Sequence, residues 1–133
     1  MRGEKEEDPQ GAGGKPVVRD ITKRSYQFAG EIVRLCQKLD DRPSVWRVLG
    51  KQLLRSGTSI GANIEEAQAG QSRADFINKY AISLKEARET HYWLRLLRET
   101  DSKSVQGIDI LLKEADEIGR IIGSIILKAR NQL

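Results

Sequence analysis

Cysteine, histidine and long apolar runs are scarce or absent in this 133-residue sequence, and each shortage excludes a class of protein. A single cysteine, Cys36, rules out a disulfide within the chain. One histidine, His91, cannot supply the two Glu-x-x-His pairs of a di-iron bundle, so no metal or other cofactor is predicted. The sequence also lacks a signal-peptide core and any apolar run that could span a bilayer. These absences predict a cytoplasmic, soluble protein without a membrane partner.

Basic side chains outnumber acidic ones outside the first fourteen residues. The whole chain has a formal net charge of +4, but residues 1–14 contain two basic and four acidic side chains. The remaining residues therefore carry 21 basic and 15 acidic side chains, a net charge of +6. A positive surface favours nucleic acid, an anionic membrane or an acidic protein as partner, and it is also compatible with no partner.

The beginning of the chain differs in composition from the rest. Residues 1–16 contain Pro9, Pro16, four glycines and a group of acids, and they lack an apolar side chain that could anchor them after Met1. This composition predicts a disordered tail over residues 1–18. A single domain is predicted over residues 19–133, since a chain of this length can bury one core.

Apolar residues at three- and four-residue spacing predict helices throughout the domain and no strands. The first predicted helix extends from Asp20, as its N-cap, to Leu39. The second begins at Pro43, which a first helical turn tolerates, and continues to Gly70. It contains the segment in which small and polar residues are concentrated.

The second half of the domain predicts two further helices. Ser72 and Asp75 resemble a capping box at the start of a third helix, which ends at a break over residues 100–104. The fourth helix runs from Ile108 to Lys128 or beyond. Short connections between four such helices favour an all-α fold, an antiparallel up-down four-helix bundle.

Two glycines and several short polar residues interrupt the second helix in the stretch RSGTSIGANIEEA, residues 55–67. Such residues weaken an isolated helix, so packing against neighbouring helices must hold this one. Gly57 and Gly61 lie four residues apart and predict close approach of a neighbouring backbone. Ser56, Ser59 and Asn63 are predicted to form hydrogen bonds across helices. We refer to the following set as the polar seam: Ser56, Ser59, Asn63, Glu65 and Glu66.

The third helix has more apolar surface than one core can use. Phe76, Tyr80 and Leu94 lie on one face, while other apolar residues project towards the opposite side. The fourth helix similarly has Ile110, Ile121 and Ile125 outside its main apolar stripe. Because monomers avoid large exposed apolar patches, this pattern predicts a closed homo-oligomeric ring. The predicted interface consists of Ile82, Lys85, Glu89, Tyr92, Trp93 and Leu96.

Basic residues recur at four-residue spacing on the outward faces of the first two helices. Such rows are usually solvated surface, but they can also contact phosphates, and a ring would multiply weak contacts. Few aromatics and no groove-reading motif are present, so nucleic-acid binding would be mainly electrostatic. The candidate nucleic-acid-binding residues are Arg34, Lys38, Arg42, Arg47, Lys51 and Arg55.

Two interpretations, one catalytic and one structural, are open for a charged group on the third helix, which consists of Lys85, Glu86 and Glu89. Paired carboxylates beside a lysine can act as acid and base, or they can form ion pairs that fix helix register. No nucleophile with a base, metal-ligand cluster or phosphate loop accompanies them. The sequence therefore predicts a non-enzymatic protein without a small-molecule substrate.

The segment from Gln52 to Leu97 resembles a known family. The residues that support the resemblance are SIGANIEEA from Ser59, SxADF from Ser72 and KEARETxYWL from Lys85. They are similar to the signature of the four-helix bundle proteins encoded in intervening sequences of large-subunit ribosomal RNA. The match covers the second and third helices, whereas the first and last agree only in pattern, and the acidic tail lies outside it.

This resemblance implies a bacterial four-helix protomer that forms pentameric rings and has no established enzymatic activity. A related branch, the accessory variability determinant of diversity-generating retroelements, is a basic pentamer that partners a reverse transcriptase and its template RNA. The basic balance of the chain favours this RNA-binding branch. The alternative is a structural or protein-docking bundle of the ribosomal intervening-sequence type. The resemblance implies architectural roles for Ser59, Asn63, Glu65, Glu66, Lys85, Glu86, Glu89, Tyr92 and Trp93.

Overall fold

Four α-helices account for almost all of the described chain. The computed structural model describes residues 16–70, 72–101 and 107–132. The helices are α1 (Pro16–Asp40), α2 (Val45–Gln68), α3 (Arg73–Thr100) and α4 (Ile108–Arg130). No strand occurs in these ranges, so the predicted all-α class is confirmed.

The first helix begins earlier than the sequence pattern suggests. Helix α1 starts at Pro16, so Asp20 lies inside the helix and its assignment as N-cap was wrong. Proline is well suited to a first helical turn, because the backbone N–H that it lacks would have no partner there. Of the predicted tail, residues 1–15 lie outside the described ranges, whereas residues 16–18 are helical.

The second helix begins later than predicted and the third begins as predicted. Helix α2 starts at Val45, two residues after Pro43. At the start of α3, the Ser72 hydroxyl accepts a hydrogen bond from the Asp75 backbone N–H at 3.1 Å, which confirms the Ser72 cap. Helix α3 ends at Thr100, and most of the predicted break lies outside the described residues.

Apolar stripes from all four helices form one core. The core includes a predicted stripe from each of α1, α2 and α4, and its largest fully buried side chain is Tyr80 of α3. Ile125 is buried, contrary to the prediction, because the apolar stripe of α4 is wider than a single row. Ile110 is 73% exposed and Ile121 is half-buried, as expected for residues outside the stripe.

Helix α2 lies unusually close to α1. A Cβ atom added at Gly57 would lie 2.8 Å from Ile32 Cγ2, and one at Gly61 would lie 3.2 Å from Ser25 Oγ. No ordinary side chain fits at Gly57 without displacing Ile32. The close approach predicted from the two glycines is confirmed, and it explains why α2 contains them at all.

Each helix has two neighbours in the bundle. Helix α1 contacts α2 and α4, and α3 contacts the same two helices. Arg24 links α1 to α4 through two hydrogen bonds to Glu114, of 2.7 and 3.0 Å. These bonds, opposed in part by burial, raise the pKa of the Arg24 guanidinium. Because the helices contact one another in the order α1, α2, α3, α4 and back to α1, the outward faces of neighbouring helices lie side by side.

Candidate nucleic-acid interface

Two of the six predicted nucleic-acid-binding cations lie on α1 and its following turn and already have acidic partners. Arg34 pairs with Glu31 one turn before it, at 3.0 Å, and both side chains are exposed. Arg42 pairs with the buried Asp101, and its guanidinium lies 4.5 Å from the centre of the Trp46 ring. The Arg42 contact joins the turn between α1 and α2 to the end of α3, which indicates a structural role.

Arg55 has two acidic partners, and both lie on another helix. Its guanidinium pairs with Glu86 at 3.3 Å and also with Glu89, so it joins α2 to α3. The Trp93 indole N–H donates to the same Glu89 carboxylate at 3.0 Å. These contacts support the ion-pair interpretation of Glu86 and Glu89. Lys85, by contrast, is exposed and has no ion pair within the described residues.

The other three predicted cations are available to a ligand. Lys38, Arg47 and Lys51 are exposed, and none forms an ion pair within residues 16–70, 72–101 and 107–132. Arg47 and Lys51 line a concavity between α1 and α2 together with Asp40 and Asp41. Together with those two aspartates, the four acids paired with Arg34, Arg42 and Arg55 equal the six cations of this face in number, so its formal net charge is zero.

The polar seam is only partly as predicted. The Ser56 hydroxyl accepts a hydrogen bond from Thr90 Oγ1 across to α3, at 3.0 Å. Ser59 and Asn63 instead donate to carbonyl oxygens one turn back in their own helix, at 2.6 and 2.8 Å. The prediction that these two bond across helices was therefore wrong, since the carbonyl one turn back is always within reach of such side chains.

A second cross-helix hydroxyl was missed by the sequence analysis. Ser83 of α3 is fully buried and donates to the Ile60 carbonyl oxygen of α2, at 2.8 Å. Its position between Tyr80 and Ala87 on the core side of α3 was the available signal. Glu65 and Glu66, at the end of the polar seam, are exposed, and Glu66 pairs with Lys79 at 2.9 Å.

The predicted oligomer interface is mixed in exposure. Ile82 and Leu96 are half-buried, Tyr92 is 48% exposed, and Trp93 packs against the core of its own protomer. The assignment of these residues to an oligomer interface stays a prediction. The other exposed large apolar side chains are Tyr26, Val33, Val45, Val48, Leu54, Ile110 and Leu127.

A further row of cations on α3 was not singled out from the sequence. Arg88, His91, Arg95 and Arg98 are spaced at three and four residues and line concavities between α3 and α4. Their spacing could have been read from the sequence, as it was for the first two helices. The basic residues contributed by α4 are Lys113 and Arg120.

His91 is half-buried in this row, and its environment disfavours protonation. Burial, and then the positive charge of Arg95, lowers the pKa of the imidazole, and Asp116 opposes this effect in part. Arg95 Nε donates a hydrogen bond to His91 Nδ1 at 3.1 Å. Because arginine is always the donor, this bond assigns the imidazole proton to Nε2.

Cys36 behaves as an apolar core residue. Its thiol is buried between α1 and α2 and donates to the Gly50 carbonyl oxygen at 3.3 Å. Burial raises the pKa of the thiol to about 11. Such a thiol is a poor nucleophile at neutral pH, which fits a packing role.

The described residues contain neither a metal-binding cluster nor a membrane-spanning helix. No group of three or more histidine, cysteine, aspartate or glutamate side chains there could hold a metal ion. No helix within the same ranges combines the length and apolar character needed to cross a membrane.

Comparison with known proteins identifies the class. The family model described as 23S rRNA-intervening sequence protein matches residues 19–124. The chain therefore belongs to the family of 23S rRNA intervening-sequence proteins, and the resemblance carried by the second and third helices is confirmed. The match also covers α1 and most of α4, where the sequence agreed only in pattern.

A solved structure supports the same assignment. A protein of unknown function from the S23 ribosomal protein family of Bacteroides thetaiotaomicron is similar to this chain with a TM-score of 0.76 and 45% sequence identity. The similarity covers 83% of this chain and 97% of that one. A search of curated proteins found no match.

Proposed function

We propose that this protein is a non-enzymatic scaffold that binds RNA through exposed basic helix faces. The observation that supports this proposal is that several exposed cations on two sides of the bundle have no carboxylate partner among the described residues. Lys38, Arg47 and Lys51 lie on α1 and α2, and Arg88 and Lys113 lie on α3 and α4. Unpaired exposed cations attract a polyanion and release its counterions on contact.

The proposed scaffold is a closed homo-oligomeric ring of antiparallel up-down bundles. Opposed contacts along α1 and α2, with Gly57 beside Ile32 and Gly61 beside Ser25, support the antiparallel order. A ring, pentameric by family resemblance, would repeat each basic face and add weak phosphate contacts through avidity. The half-buried Ile82 and Leu96 are the proposed contacts between protomers.

The proposed partners are RNA and the reverse transcriptase of a diversity-generating retroelement. The net charge of +6 outside the first fourteen residues favours this accessory role. The alternative is a protein-docking bundle that binds no nucleic acid at physiological salt. A reverse transcriptase gene beside the coding sequence would favour the first role, and a location inside a ribosomal RNA gene would favour the second.

The test is the salt dependence of binding to a fluorescein-labelled single-stranded RNA, followed by anisotropy. We expect affinity to fall steeply between about 50 and 200 mM salt, as for any complex that depends on several phosphate contacts. Absence of binding even at the low end of that range would contradict the proposed function.

Oligomerisation is tested separately, by sedimentation. Leu96→Asp should reduce the particle mass without unfolding the protomer, because this side chain is only half-buried. Trp93→Asp is less informative, since Trp93 packs against the protomer core and bonds to Glu89. A wild-type particle with the mass of one chain would contradict the ring.

A further inference from the structure

The outward seam between α3 and α4 forms a groove. Two adjoining concavities share His91, Arg95 and Asp116 and extend along the two helices. One runs towards Asp109, and the other runs towards Gly123. We call the combined depression the α3–α4 groove.

The α3–α4 groove has excess positive charge. Five basic and two acidic side chains line it, which gives a net charge of +3 with His91 neutral. Two of the five cations are neutralised in exposed ion pairs, Arg98 with Asp109 at 3.0 Å and Arg120 with Asp116 at 2.9 Å. Exposed ion pairs of this kind are weak, so these arginines can be drawn to a competing anion.

The remaining cations have no carboxylate partner among the described residues. Arg88 and Lys113 form no ion pair there, and the hydrogen bond from Arg95 goes to an uncharged imidazole. The groove therefore has three uncompensated charges on facing helices. A groove of one sign of charge raises the local concentration of oppositely charged ligands.

The shape of the α3–α4 groove also suits an extended polyanion. Side chains three or four residues apart on one helix lie about 5–6 Å from each other, so the row on α3 can meet successive phosphates of one strand. A Cβ atom added at Gly123 would meet nothing within 4 Å. The wall of the groove formed by α4 is consequently low and open at that end.

An exposed aromatic ring stands beside the same row. Tyr92 is 48% exposed, and the Arg95 guanidinium lies 5.7 Å from the centre of its ring. Proteins that hold single strands combine a basic groove for the backbone with aromatic rings on which bases stack. Tyr92, which the sequence placed in the oligomer interface, is in position to provide such a ring, because the proposed protomer contacts are confined to Ile82 and Leu96.

We infer that the α3–α4 groove binds the phosphodiester backbone of single-stranded nucleic acid through Arg88, Arg95 and Lys113, with a base stacked on Tyr92. This inference rests on the proposed RNA binding and assigns its main site to α3 and α4. The α1–α2 face contributes less, because carboxylates there equal the cations in number. RNA and DNA single strands share the recognised chemistry.

His91 links this site to pH. Its neighbours are Arg95 and Arg98 on α3, with Asp116 and Lys113 on α4. A bound phosphate would favour the imidazolium form, so the complex takes up a proton on binding. Affinity should consequently rise as the pH falls through the range around and below about 6.5.

The experiment compares two triple variants with the same change in net charge. The groove variant is Arg88→Glu, Arg95→Glu, Lys113→Glu, and the matched control is Lys38→Glu, Arg47→Glu, Lys51→Glu. All six side chains are exposed, so both variants should fold, which circular dichroism checks. Anisotropy is measured with a labelled oligouridylate, the corresponding deoxyoligonucleotide and an RNA duplex, each of about 20 nucleotides, enough to span one groove.

We expect the groove variant to lose at least about tenfold in affinity for both single strands, and the control less than about threefold. The slope of log affinity against log salt should fall by about 2 in the groove variant, since each contact with a single strand contributes about 0.7. Tighter binding of single strands than of the duplex is also expected. Equal losses in both variants, or a larger loss in the control, would overturn the assignment while leaving RNA binding intact.

A second measurement does not depend on charge reversal. Tyr92→Ala should weaken single-strand binding with the salt slope unchanged, and His91→Gln should remove the rise in affinity at low pH. An affinity that stays the same in Tyr92→Ala and a pH profile that stays the same in His91→Gln would together overturn the inference. If the wild-type protein binds none of the three probes, the proposed function itself fails.

Discussion

The α1–α2 and α3–α4 seams of this bundle are built on the same elements, small residues and rows of cations, yet they differ in what those elements contact. In the α1–α2 seam, Gly57 and Gly61 face atoms of α1 at close range, and carboxylates equal the nearby cations in number. In the α3–α4 seam, Gly123 faces open space and several cations have no acidic partner among the described residues. Glycine therefore allows close helix packing in the α1–α2 seam, whereas in the α3–α4 seam it leaves the surface open to a ligand.

This difference shows why rows of like charge are poor guides by themselves. A four-residue spacing places cations on one face, but it does not reveal whether another helix presents acids to them. Arg55 is the clearest case, because Glu86 and Glu89 reach it from α3. Substitutions in the two seams should therefore have different effects, largest where helices touch and smallest where a side chain faces solvent.

The glycines should respond in opposite directions to the same substitution. Gly57→Ala should destabilise the fold by about 1–3 kcal/mol, because the added methyl overlaps Ile32 in a packed core. Gly123→Ala should stabilise it by about 0.5–1 kcal/mol through better helix propensity. Urea denaturation of both variants measures the difference. Stabilisation by Gly57→Ala would contradict the close contact of α1 with α2.

Replacing Arg55 should reduce stability more than replacing Lys51, because only Arg55 forms ion pairs with another helix. Arg55→Ala should lower the free energy of unfolding by about 1–2 kcal/mol, because it leaves Glu86 and Glu89 without their shared partner. This value takes into account that the Arg55 side chain is partly exposed and its ion pairs are screened by solvent. Lys51→Ala should change the free energy of unfolding by no more than about 0.5 kcal/mol. Thermal melts at equal salt provide the comparison, and equal costs would show that the Arg55 pairs contribute nothing.

The hydroxyls of α2 and α3 allow a finer test. Ser83→Ala should cost about 1 kcal/mol, because it removes a buried hydrogen bond to the Ile60 carbonyl. Ser59→Ala removes a bond within one helix and should have an effect close to zero. Denaturation midpoints of the two variants decide whether only the cross-helix bond matters.

The pH dependence of stability should be the weakest effect. The pKa of His91 is lowered in the folded protein, so the unfolded chain binds the proton more readily. The stability supplied by neutral His91 is present above about pH 6.5, the pKa in the unfolded chain, and is lost below it as the pH falls through the lowered pKa of the folded protein. His91→Gln should flatten this part of the pH–stability curve. A steeper loss in the variant would contradict the assigned environment.

Periodicity predicted the helices well because burial repeats with the helical turn. Ile32, Ile60, Tyr80 and Ile122 lie in the core as their spacing indicated. The start of α1 was missed because Asp20 has good capping chemistry, and local preference does not decide where a helix begins. Ile125 was misassigned for a related reason, since the width of a buried stripe depends on the neighbouring helices.

The site was harder to predict than the fold. Ser59 and Asn63 are as polar as Ser56, but only Ser56 has a partner on α3 within reach. The cations of the α3–α4 groove come from helices separated by a connection, so only the folded chain brings Lys113 to the row on α3. Whether two side chains on different helices pair depends on the distance between them in the folded protein, and a single sequence does not give that distance.

Cys36 offers a way to measure how often the contact between α1 and α2 opens. A thiol-specific dye should react with this sulfur mainly when α1 and α2 separate, since only 7% of the residue is exposed and the thiol packs against Gly50. The rate of labelling in native buffer therefore reports how often α1 and α2 separate in the folded protein. With no second thiol in the sequence, the signal needs no mutagenesis to be assigned.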